Sequence, residues 1–174
     1  GRVRDMTFYD VVRKEAAMKS VFIMLCVLMM CMTANAGGSL IDAKAPLFSL
    51  PDQHDRLVSL QQVVGQVIVL IASDREGTAQ NAAWRKTISA RYGKRVLIQG
   101  IADVRKVPFF LKSRYKKDFQ KDLDSIILDW KGTVFSSYGL APGVSNIVAI
   151  DKEHRVRYQH AGPADQDAVE QLFQ

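Results

Sequence analysis

Cysteine is almost missing from this chain. Of 174 residues only Cys26 and Cys31 carry a thiol, and both lie in an apolar stretch near the N-terminus. From residue 37 onward there is none, which excludes a disulfide framework and any thiol chemistry by that part of the protein. Histidine is scarce too: His54, His154 and His160 stand singly, without the spacing or Cys/His clustering of metal sites. No serine sits in a Gly-x-Ser-x-Gly elbow, which disfavours a hydrolase of that type. No apolar run approaches the roughly 20 residues of a membrane span. Repeats, low-complexity tracts and Pro/Gly-rich linkers are absent after residue 37, so that part reads as one domain.

What is present begins with an export signal. From Met18 the order is a lysine, an apolar run over residues 21–32 and a small-x-small site, Ala34-Asn35-Ala36, before two glycines. Residues 18–36 are therefore expected to be a signal peptide cleaved after Ala36, with an uncleaved anchor as the alternative. Residues 1–17 read as an upstream segment without function. The remaining residues, 37–174, hold 19 Lys/Arg and 15 Asp/Glu, a mildly basic balance. For an exported protein, here placed in the periplasm, nucleic acid is not an expected partner.

Strand and helix patterns alternate along this domain. Residues 45–60 give two short extended segments around the turn 51–55, a hairpin. Residues 66–73, QVIVLIAS, form a continuous apolar run rich in β-branched residues, as in a strand covered on both faces. A helix follows over 77–92, with Thr78 as its cap and Trp84, Ile88 and Tyr92 on one stripe; Gly93 ends it. Further strands are expected at 95–103 and 125–129, a helix between them at 107–122, and a short helix at 133–139. Two strands at 144–151 and 155–160 and a closing helix opened by Pro163 complete an α/β sandwich.

Those residues carry a family resemblance. The stretches AKAPLFSLPDQHDRLVSL, VGQVIVLIAS and VAIDKEHRVRYQHAG resemble the thioredoxin-like redoxin superfamily, which includes peroxiredoxins and thiol-disulfide reductases. SDREG, GIADVRKVP and LDWKGTVFSSYG are similar to a cysteine-free exported branch of it, the YtfJ family. The resemblance implies a three-layer thioredoxin-like sandwich, a central mixed sheet flanked by helices, with an N-terminal hairpin extension. It also implies where a redox site would lie. Active members place a cysteine after the first long strand, at the helix N-terminus, and a cis-proline before the hairpin strand. Here the first segment, residues 74–79, has no cysteine, and Ser145 stands at the proline position, with Pro142 three residues too early.

Three strands end in aspartate, at Asp74, Asp103 and Asp129. Ligands of parallel α/β sheets bind beyond strand C-termini, so these carboxylates could gather with Arg75, Trp130 and Ser145 at one rim, to ligate a hard cation or to hold Arg75 for a small anionic ligand or a partner protein of the envelope. The competing reading makes Asp74 and Asp103 helix caps and Asp129 the start of a turn. The basic run from Arg105 to Lys121 reads as the solvated face of an amphipathic helix whose apolar stripe is Leu111, Tyr115 and Phe119. The sequence thus favours a non-catalytic partner- or ligand-binding module without cofactor or metal. The alternative is a redoxin-family antioxidant oxidoreductase acting as an accessory to another thiol protein.

Overall fold

The computed structural model describes residues 39–173. The expected signal peptide and upstream segment lie outside these residues. The unit Ser39–Gln174 is compact by itself.

Two apolar runs containing β-branched residues become adjacent parallel strands, β3 (Val67–Ser73) and β4 (Val96–Asp103). Strand β5 (Ile126–Asp129) extends the parallel half, and β6 (Asn146–Ile150) and β7 (Val156–Ala161) add antiparallel neighbours on the other side. The order is β5-β4-β3-β6-β7, so β3 is central. Six of its seven residues are buried, as a strand covered on both faces requires.

Alternation along β3 sorts the core into two layers. Ile68, Leu70 and Ala72 pack with Phe48, Leu60, Phe135 and Tyr138, beneath the N-terminal hairpin and helix α3 (Thr133–Ser137). Val69 and Ile71 pack with Trp84 and Ile88 of helix α1 (Thr78–Tyr92) and Ala168 of helix α4 (Gln166–Leu172). Trp84 is fully buried, and its indole N–H donates to the carbonyl of Gly162 at 2.9 Å. The expected stripe Trp84, Ile88, Tyr92 therefore faces the sheet. Helix α2 (Lys112–Phe119) differs from the others in burying no residue. It is also shorter than the 107–122 expected, because residues 109–111 form a separate 3-10 turn after the extended Pro108. The closing helix starts at Gln166 rather than Pro163, since Asp165 accepts the N–H of Ala168 at 2.8 Å and sets the start there.

The hairpin of β1 (Ser49–Pro51) and β2 (Leu57–Ser59) is held to the sheet at its turn. Asp52, 2% exposed, bridges to Ile127 of β5. Its carboxylate accepts the N–H groups of His54 and Arg56 at 2.8 and 2.9 Å and pairs with the Arg56 guanidinium. Next to it the fully buried Gln53 takes the N–H of Ile126 at 2.7 Å and donates to the carbonyl of Asp124. Burial alone raises the Asp52 pKa, but the Arg56 side chain, the two backbone N–H groups and the Arg56 charge outweigh it and hold the carboxyl below its ordinary value. A depressed pKa contributes stability that is present above the unfolded value, near 4, and lost as pH falls through the folded value. Urea unfolding at neutral and at strongly acidic pH is expected to show a larger loss for the wild type than for Asp52→Asn. Equal losses would mean that the carboxylate does not hold the hairpin.

Candidate functional site

Register brings the ends of the parallel strands level: Ser73 faces Ala102 and Asp103 faces Asp129. The three aspartates therefore stand along one sheet edge, as their sequence positions imply. Their carboxylates do not converge, because each is engaged by its own neighbourhood.

Asp129 is fully buried and accepts the N–H groups of Thr133, Val134 and Phe135, at 2.8, 2.8 and 3.3 Å. It holds the start of α3 from the preceding strand, with both oxygens engaged and the whole side chain out of reach of solvent. Asp103 accepts the backbone N–H of Arg105 at 3.1 Å and receives its guanidinium at 2.7 to 3.1 Å. Burial raises its pKa, but the hydrogen bonds and charge of Arg105 prevail and lower it. It caps no helix, contrary to the capping reading. Arg105 in turn lies across Gly132, where an added Cβ would come within 2.2 Å of it, and over the Phe135 ring at 5.8 Å. Trp130 is half-buried, with the Lys112 ammonium 4.9 Å from its ring centre.

Asp74 does something the sequence did not disclose. It is 6% exposed, and its two oxygens accept the N–H of Gly77 at 3.0 Å and the N–H of Gly143 at 2.9 Å. One carboxylate thus joins the entrance of α1 to the loop before β6. The expected cap, Thr78, is not one: Gly77 occupies that position, and the Thr78 hydroxyl donates back to the carbonyl of Asp74 at 2.8 Å. Ser145 is fully buried and belongs to the same seam. Its N–H donates to Gln80 at 3.0 Å and its hydroxyl to Asn81 at 2.8 Å. Asn81 in turn donates to Ser73 at 2.8 Å. A proline at position 145 has no N–H and would leave the Gln80 carbonyl oxygen without this donor. Asn146 shapes the loop itself, accepting the N–H of Ala141 at 2.8 Å and donating to the carbonyls of Ala141, Val144 and Ala72.

Gln80, Asn81 and Asn146 were not among the expected site residues. A signal for Asn81 exists in its spacing: it lies three residues before Trp84, so a polar side chain sits on the stripe that packs against the sheet. Asn146 opens an otherwise apolar strand. The seam is tight as well as polar. An added Cβ on Gly77 would lie 2.3 Å from the carbonyl carbon and oxygen of Val144. The loop 141–145 is pressed onto the helix entrance, and only glycine permits that approach.

Beside the seam lies an open cleft of 920 Å³ between the ends of β3 and β4 and helix α2. Val104, Val107, Leu111, Tyr115 and Phe119 supply its apolar wall, while Arg75, Lys106 and Arg114 bring cations to it. Of the expected residues, Arg75 is the one exposed here, and no ion pair involves it among the described residues. Glu76 and Asp122 also line the cleft, and the Asp118 carboxylate on its rim pairs with Lys121 at 2.8 Å. The same described residues contain no group of three or more His, Cys, Asp or Glu placed to hold a metal ion.

No family model and no curated protein matches the chain. Solved structures do. The pneumococcal exposed lipoprotein thioredoxin Etrx1 of Streptococcus pneumoniae is 18% identical, with 73% of this chain and 97% of that one covered at a TM-score of 0.57. A putative thiol:disulfide interchange protein DsbE from Chlorobium tepidum is 23% identical, covering 75% and 93% at 0.57. StoA of Bacillus subtilis is 16% identical, covering 75% and 96% at 0.56. At these identities the likeness is one of fold: a mixed five-stranded sheet with flanking helices, the thioredoxin-like architecture.

Proposed function

We propose that this protein is a non-catalytic binding module of the cell envelope, using the thioredoxin-like fold without its thiol chemistry. The observation that carries the reading is the seam. The segment 74–79, where the family resemblance implies a cysteine, contains none, and it is pressed against the loop carrying Ser145 by buried hydrogen bonds. A reductase needs a substrate disulfide to reach a thiolate at the helix entrance. Here the N–H of Gly77 is committed to Asp74, and the approach between Gly77 and Val144 is filled by the protein's own backbone.

Binding falls instead to the neighbouring cleft. Its apolar wall and the cations Arg75, Lys106 and Arg114 suit an acidic segment of a partner protein that also carries apolar side chains. The similarity of SDREG, GIADVRKVP and LDWKGTVFSSYG to a cysteine-free exported branch agrees with this reading.

Three measurements follow from it. Residues 37–174 are expected to leave insulin disulfides and hydrogen peroxide at the buffer background rate; turnover at about 1 s⁻¹ or faster would restore the oxidoreductase alternative. Titrating a short acidic, phenylalanine-containing peptide should shift amide resonances of the cleft wall, including Val107 and Tyr115, and Arg75→Glu with Arg114→Glu should weaken the effect about tenfold or more. Shifts scattered over the surface would place binding elsewhere. Gly77→Ala should destabilise the fold by about 1–3 kcal/mol in urea unfolding, as the loop is forced off the helix entrance. A neutral outcome would show that the seam yields and leaves the entrance open to substrates.

A further inference from the structure

We propose that the turn after β4 and the first half of α2 form a docking surface for an anionic lipid membrane, made of residues that do not line the cleft. Phe109 and Phe110 are 84% and 70% exposed. They pack on each other, ring centres 5.7 Å apart and planes perpendicular, and on neither hydrophobic cluster. They do not line the cleft, whose wall takes their neighbours Pro108 and Leu111. The two rings form an apolar knob at the tip of a 3-10 turn, a feature that soluble surfaces seldom carry without a use.

The charge around the knob selects the partner. Residues 105–117 contain six Lys/Arg and no Asp/Glu. Arg105 is tied to Asp103 and Lys116 to Asp55. Arg114 belongs to the cleft, whereas Lys112 and Lys117 are exposed outside its lining, and no carboxylate pairs with them among the described residues. Aromatic side chains partition into the headgroup region while long flexible cations meet lipid phosphates, and neither needs a shaped pocket. Neither ring lines the cleft, and insertion into a headgroup region asks for no groove around them. Acidic residues return at Asp118, Asp122 and Asp124, so the contact ends within the second turn of α2.

This surface is separate from the cleft, and failure of one reading leaves the other standing. The test uses residues 37–174, which include every strand and both clusters of the compact unit. Co-sedimentation is compared on vesicles of phosphatidylcholine alone and of phosphatidylcholine with phosphatidylglycerol. Binding to the anionic vesicles is expected to be at least about tenfold tighter than to the neutral ones, and to weaken in roughly 0.5 M salt. Phe109→Ser with Phe110→Ser, and separately Lys112→Gln with Lys117→Gln, should each reduce it about tenfold while leaving the unfolding midpoint in place. Absence of binding to anionic vesicles, or equal binding by the wild type and both double variants, would overturn the proposal.

Discussion

One buried carboxylate ties the two halves of the sheet edge together. Asp74 directly follows the central strand and receives an N–H from the entrance of α1 and another from the loop before β6. Shielded from water, such charge-assisted hydrogen bonds are strong, and losing one partner would leave a desolvated charge. Much else follows from keeping both. Gly77 must lack a side chain so that the Val144 backbone can close to it. Asn146 must hold residues 141–144 in a shape that presents the Gly143 N–H. Ser145, Asn81 and Gln80 complete the polar seam and leave its donors and acceptors paired.

The same arrangement bears on the proposed lack of thiol chemistry. A helix N-terminus stabilises a thiolate through free N–H groups and the positive end of its dipole. At this helix the buried Asp74 already occupies the N–H of Gly77, and Glu76 adds a second negative charge at the entrance. A cysteine placed in this segment would meet negative charge where a redox enzyme offers positive. The missing cysteine and the surrounding hydrogen bonds therefore agree with each other, which is more than the sequence gap alone conveys.

Strands and core were legible because burial on both faces demands the β-branched runs seen at 67–73 and 96–103, and a stripe of Trp84 and Ile88 has few other uses. Element ends were harder: Thr78 and Pro163 carry the usual start signals, yet α1 is capped by Gly77, whose N–H Asp74 holds, and α4 by Asp165. The aspartates' location at one sheet edge was readable from the strand pattern, but the direction of each carboxylate was not. That direction is set by contacts such as Asp74 with Gly143, far apart in sequence and adjacent only once β3 and β6 have paired. The cleft was hidden for the same reason, since it exists between α2 and strand ends and belongs to no single segment.

Helix α2 is where the fold spends least on stability. It buries no residue and adds nothing to either cluster. Its links to the hairpin are polar: the Lys116 ion pair with Asp55 and the donation from Gln120, just after its last turn, to the carbonyl of Gln53 at 2.9 Å. Surface ion pairs contribute little, typically under about 1 kcal/mol, so this helix is able to shift while the sheet and its two layers stay intact. The helix lines the proposed cleft, and the aromatic knob, outside that lining, stands just before its first turn. An element weakly bound to a rigid sheet can adjust to a ligand at modest cost. The seam, with its paired buried groups, cannot, which is the physical reason that both proposed recognition surfaces involve α2 and not Asp74.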